Sequence, residues 1–173
     1  VLRGISVLTI TACAVLQALI SRGLRVGAAK CGPDYIDPMF HSRVIGAKSS
    51  NLDSFFFDRD TMRYLLAHNT QGCDVTVIEG VMGYYDGLGL TSTRASTYAA
   101  ARETSSPVVL VVNARGAALS VLASVEGFLH FAPDSGIQGV ILNGCSAMSY
   151  GPLSRELENR LGVRACGYLP RLP

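Results

Sequence analysis

The chain has no surplus of either charge: 15 basic residues against 13 acidic ones leave a net +2 over 173 residues. So even a balance, scattered along the sequence, excludes a nucleic-acid surface, which needs a concentrated basic face. Paired cysteines are also lacking. Cys13, Cys31, Cys73, Cys145 and Cys166 are odd in number and widely separated, with no CxxC pair and no Cys/His cluster, which argues against a zinc site and a disulfide framework. Buried free thiols in a reducing cytoplasm are the expected state. No internal repeat, low-complexity stretch or linker interrupts the sequence. The one long uncharged run, Gly4 to Ser21 between Arg3 and Arg22, is broken by Thr9, Thr11, Gln17 and Ser21 and has no small-residue cleavage site. Neither a signal peptide nor a membrane partner is expected.

What the sequence does have is length enough for one domain, residues 1–173, with roughly two-thirds of the unfolded surface lost on folding. Apolar, β-branched runs at Leu24–Ala29, Val75–Ile78, Val108–Val112, Val140–Leu142 and Val163–Tyr168 read as strands buried on both faces. Helical spacing lies between them. Val121, Leu122, Val125, Phe128 and Leu129 share one face, and Leu153, Leu157 and Leu161 form a second stripe, opened by Pro152 near a first turn and stopped by Gly162. Strands alternating with helices predict an α/β fold: three layers, a mostly parallel sheet, helices on both faces.

In such a sheet ligands bind beyond the carboxyl ends of the strands, so residues that follow each apolar run carry the information. Lys30 to Asp37 is dense in polar groups: Lys30, Asp34, Tyr35, Asp37 and His41 crowd one loop, although Pro and Asp are also what a turn and a helix cap require. Glu79 directly ends the run Val75–Ile78, and Asp86 lies seven residues on among Gly80, Gly83 and Gly87. Two carboxylates on a glycine-rich loop suit Mg²⁺ or a positioned substrate. Asp53, in Ser49-Ser50-Asn51-Leu52-Asp53-Ser54, has the composition of a turn entering Phe55–Phe57, and Asn143 after Val140–Leu142 suits a base edge or a turn cap. His41, His68 and His130 show no partner spacing and receive no chemical role.

Taken in order, KCGPDYIDPMFHS, NLDSFF, DVTVIEGVMGYYDG, PVVLVVNARG, GVILNGC and GYLPR resemble the cobyrinic acid a,c-diamide synthases, across nearly the whole chain. The part matched is the N-terminal ATP-dependent amidoligase domain, similar in fold to dethiobiotin synthetase and the MinD-like P-loop proteins. The resemblance implies ATP- and glutamine-dependent amidation of the a and c carboxylates of cobyrinic or hydrogenobyrinic acid through acyl phosphates, in cobalamin biosynthesis. The implied cofactors are ATP and Mg²⁺, and the implied partners are a corrinoid substrate and a glutaminase domain or subunit supplying ammonia. A homodimer is compatible with it, and the implied location is cytoplasmic. By position, Asp53 and Glu79 resemble the Mg²⁺ ligands, Lys30 a lysine reaching the phosphates, and Asn143 the adenine-reading amide. Asp34, Tyr35 and Asp86 match positions that handle the substrate carboxylate and its phosphorylated form.

One part of the pattern is missing. These proteins open with a phosphate loop of the form G-x-x-x-x-G-K-[ST], and here the stretch reads Gly4-Ile5-Ser6-Val7-Leu8-Thr9. Thr9 falls on the loop's hydroxyl position and Leu8 on its lysine. Residues lost between Arg3 and Thr9 would account for this; a degenerate, non-catalytic binding domain is the alternative, and an amidoligase acting on nickel sirohydrochlorin is another. None of the five cysteines has the setting of a glutaminase nucleophile. The chain is therefore expected to stop before a C-terminal glutaminase domain.

Overall fold

The computed structural model describes residues 7–171, which divide into two compact units, one ending at Ser105 and the other beginning at Ser106. In the first unit, helix α1 (Val7–Ser21) leads to strand β1 (Val26–Cys31), then to a short helix α2 (Ile36–Phe40) that runs into a π-helical turn, His41–Ile45. Strand β2 (Lys48–Leu52), helix α3 (Arg59–Asn69), strand β3 (Val75–Glu79) and helix α4 (Thr97–Thr104) follow. The three strands are parallel, in the order β2-β1-β3.

β1 organises this unit. It is buried at all six positions, as a central parallel strand covered on both faces must be. Successive side chains point to opposite faces, which sorts the core into two clusters. Val26 and Ala28, beside Val75 and Val77 of β3, meet Leu16 of α1 together with Ile45 and Ala47. Ala29 and Cys31, beside Leu52 and Ile78, meet Met62, Leu65 and Leu66 of α3 and Ala100 of α4. Full burial of one such Leu or Met contributes about 1.5–3 kcal/mol. Within α1, Thr11, Ala12 and Leu16 are buried. Among the described residues no helix is long and apolar enough to cross a membrane.

The second unit repeats the plan with β4 (Val108–Asn113), α5 (Ser120–His130), β5 (Ile137–Asn143), α6 (Ala147–Leu161) and β6 (Arg164–Leu169), its parallel sheet ordered β4-β5-β6. Val125, Val140, Leu142 and Leu157 are fully buried in it. The mostly parallel α/β architecture expected from the alternating runs is therefore present.

Four local expectations need correction. Ser49–Ser54 does not form a turn throughout, because Lys48–Leu52 pairs with β1 residue for residue as strand β2; long-range pairing overrides the weak strand propensity of Ser and Asn. β1 ends at Cys31, so Lys30 belongs to the strand and not to the loop after it. Pro152 sits in the second turn of α6, since Ser146 caps that helix by accepting from the Ser149 amide. All five cysteines are free, but only Cys31 and Cys145 are buried; Cys166 is exposed and Cys13 and Cys73 are half-buried.

Candidate functional site at the strand ends

The register pairs Lys30 of β1 with Glu79 of β3 and with Asn51 of β2. Lys30 continues the face of Val26 and Ala28, and Glu79 continues that of Val75 and Val77, so the apolar stripe under α1 ends in opposite charges. Lys30 Nζ donates to Glu79 Oε1 at 2.7 Å and to Asp37 Oδ2 at 2.8 Å, and lies 4.0 Å from Asp34 Oδ2. The Thr9 hydroxyl, in α1, donates to the same Glu79 oxygen at 2.8 Å and lies 3.3 Å from Asp37 Oδ2. Helix and sheet thus meet at one carboxylate.

The loop after β1 is built to deliver Asp37. Gly32 adopts φ +80°, a conformation that favours glycine, and its amide donates to Leu52 O. Asn51 Nδ2 ties the loop to β2 by donating to the Gly32 and Asp34 carbonyls at 3.0 and 2.6 Å. Asp34 Oδ1 then accepts from the Ile36 amide at 2.9 Å and the Asp37 amide at 3.4 Å, opening α2. Asp37 therefore enters the first turn of α2 facing Lys30.

Burial alone would lower the pKa of Lys30, yet its bonds to Asp37 and Glu79 outweigh it and raise the value above the ordinary 10.5. Burial likewise pushes Asp37 upward, and the Lys30 ammonium wins, holding it below the usual 3.8. Glu79 Oε2 and Asp53 Oδ2 are buried without a hydrogen-bond partner. Each such atom costs about 1–3 kcal/mol, a penalty typical of places that await a ligand. His41 is also buried: its Nε2 lies 3.4 Å from Glu79 Oε2, neither ring nitrogen has a hydrogen bond, and burial lowers its pKa below 6.5.

The remaining expected site residues stand as follows. Asp53 lies just past β2, buried, and its Oδ1 accepts from the Phe55 amide at 2.9 Å, so the turn reading holds for one oxygen while the other is free. Tyr35 precedes α2 with 79% of its surface exposed. Asp86 is exposed on the loop after β3, where its amide closes a turn on Gly83 O, and it is not joined to the Lys30 network. Asn143 ends β5 in the second unit, in register with Asn113 and Leu169. Leu8 and Thr9 are residues of α1; the segment before Val7, where residues were expected to be missing, lies outside the described residues. Among the described residues no group of three or more His, Cys, Asp or Glu is spaced to enclose a metal ion. From the sequence Asp37 and His41 are named only as polar members of the loop after Lys30, with no role of their own, and Asn51 only as part of a turn, although Asp34, Asp37 and His41 follow the i, i+3, i+7 spacing of one helical face.

Parallel strands, helices on both faces and charged groups gathered at the strand ends define a protein with the P-loop NTPase type of fold. A structure of chloroplast FtsY from Physcomitrella patens agrees with this fold, with a TM-score of 0.62 at 16% identity over 91% of this chain and 53% of that one. No family model matches the chain. Among curated proteins it is 42% identical to the cobyrinate a,c-diamide synthase of Listeria monocytogenes serovar 1/2a over 91% of its length. It is 41% identical to the hydrogenobyrinate a,c-diamide synthase of Streptomyces coelicolor over 94%, and 41% identical to the cobyrinate enzyme of Thermoplasma volcanium over 94%. The chain is similar to these cobyrinate and hydrogenobyrinate a,c-diamide synthases and spans about a third of their length: 35%, 34% and 36% of these three.

Proposed function

We propose that the chain is the ATP-dependent amidoligase part of an a,c-diamide synthase of cobalamin biosynthesis, acting on two side-chain carboxylates of a corrinoid. The observation that carries this reading is the convergence of Thr9 and Lys30 on Glu79 Oε1 at the strand ends. A carboxylate is a poor acyl donor and its mixed anhydride with phosphate is a good one. In the proposed sequence the substrate carboxylate oxygen attacks the γ-phosphorus of ATP and ADP leaves. Ammonia then attacks the acyl carbon, phosphate leaves and the amide forms. Glutamine hydrolysis by a further domain or subunit is the proposed ammonia source.

The residues present suit this chemistry. Lys30 carries a firmly held charge within reach of a phosphoryl group if it exchanges one carboxylate for a phosphate oxygen. Mg²⁺ is held by few protein oxygens, the rest being water and phosphate, so the free oxygens of Glu79 and Asp53 and the Thr9 hydroxyl are a fitting donor set without an enclosed cage. When bound there it would neutralise charge on the transferring phosphoryl group. Asp34, beside Lys30, and exposed Tyr35 and Asp86 are assigned to the substrate carboxylate and its phosphorylated form. Asn143 is assigned to adenine.

The test uses the protein with ATP, Mg²⁺, ammonium chloride and cobyrinic or hydrogenobyrinic acid, read by mass spectrometry. Conversion of two carboxylates to amides with release of ADP is expected. No ATP-dependent mass change with either acid would overturn the assignment. Leu8 at the expected lysine position favours one second reading, a binding domain without phosphoryl transfer; it predicts corrinoid binding with no ADP release.

A further inference from the structure

The loop after β1 carries Asp34, and its hold on the sheet runs through a side chain of β2. Asn51 Nδ2 donates to the Gly32 carbonyl at 3.0 Å and to the Asp34 carbonyl at 2.6 Å, across 19 and 17 residues of sequence. We infer that Asn51 is a positioning residue for the carboxylate substrate: it fixes the backbone at Asp34 and so sets affinity for the corrinoid acid rather than for ATP. The role rests on assigning Asp34 to the substrate carboxylate.

Three observations support it. The direction of the amide is unambiguous, because both neighbours are carbonyl oxygens, which only accept, so the nitrogen of Asn51 must face them. Among the described residues the other holds on residues 33–36 are local. The Asp34 amide donates to Gly32 O, Asp34 Oδ1 accepts from the Ile36 and Asp37 amides, and Lys30 Nζ approaches Asp34 Oδ2 only to 4.0 Å. Local bonds keep a turn in shape, but they do not fix its place on the sheet. Asn51 supplies that place from a paired strand: the register sets it beside Lys30, and Lys30 beside Glu79. Strands hold a site more precisely than loops do, and a misplacement of about 1 Å can cost on the order of 100-fold in rate.

The first readout needs no activity. Asn51→Leu keeps the volume and removes both donors, so in hydrogen exchange read by mass spectrometry, peptides covering residues 32–40 should exchange at least about tenfold faster while α3 is unchanged. Unchanged exchange in that loop would overturn the inference. Faster exchange throughout the first unit would overturn it too, since Asn51 would then only support the fold. Kinetics provide the second arm. In Asn51→Leu, kcat/KM for the corrinoid acid should fall roughly tenfold and KM for ATP should stay within about twofold. Asn51→Gln, whose amide can still donate, should stay within about threefold of the wild type. Equal losses toward both substrates, or in both variants, would contradict the role. A wild-type protein with no ATP-dependent amidation would defeat the functional reading, and the exchange rates would still decide whether Asn51 holds the loop.

Discussion

Replacing Lys30 by Met removes one ammonium from between two carboxylates while keeping most of the stem that packs inside the sheet. Lys30 and Glu79 are 4% and 1% exposed, so this pair is screened little by water; Asp37 is 18% exposed and is relieved more easily. Removing one partner of a buried pair strands the other charge, which costs about 3–5 kcal/mol. For a chain of this size that corresponds to a fall in Tm of roughly 6–20 °C. Glu79→Gln removes the charge that would be stranded, and the double variant Lys30→Met/Glu79→Gln should therefore be little worse than Lys30→Met alone. The expected coupling is about 2 kcal/mol, within the range measured for groups in direct contact. It should not cancel fully, because Asp37 also loses its cation in the double variant. Urea unfolding of all four proteins, followed by circular dichroism at pH 7, provides the cycle. Losses that simply add would refute the claim that Lys30 compensates Glu79.

Other expected outcomes follow from single contacts. Cys31 is buried and desolvation pushes its thiol up to about 12, so at pH 8 a maleimide should label exposed Cys166 first and Cys31 only on unfolding, as peptide mass spectrometry would read. Asp74 accepts from the Arg25 amide and guanidinium, which hold it at about 2 against an ordinary 3.8. Its stabilisation is complete above pH 3.8 and lost as pH falls through about 2, so Asp74→Asn should flatten Tm against pH in that window and high salt should shrink the difference. A Cβ at Gly87 would run into the Arg94 and Ser92 carbonyls, so Gly87→Ala should cost about 1–3 kcal/mol and expose the loop after β3 to protease. Gly151 in α6 has open space around it, and Gly151→Ala should instead stabilise by about 0.5–1 kcal/mol in thermal melts.

The strands that could be read from the sequence are those whose burial leaves a mark on it. β1 and β3 to β6 carry apolar runs because helices cover the sheets, whereas β2 reads Lys-Ser-Ser-Asn-Leu and forms through its pairing with β1. Lys30 and Glu79 stood out for a related reason: each is a charge at the tip of an apolar run. Their bond to each other was not legible, since it spans 49 residues and depends on strand register. Asp37 was visible only as one polar residue among several, and its role emerges when Asn51 and Asp34 fold the loop over the strand ends. His41 was visible only as another polar member of that loop, because its burial beside Glu79 depends on the fold.

The central claim is that the strand ends around Lys30, Glu79 and Thr9 form a Mg²⁺-nucleotide site. Isothermal titration of the protein with ATP, with and without Mg²⁺, tests it most directly. Saturable binding that requires Mg²⁺ and weakens at least about tenfold in Glu79→Gln is predicted, as expected for loss of one charged ligand. No binding, or binding indifferent to both Mg²⁺ and Glu79→Gln, would contradict it.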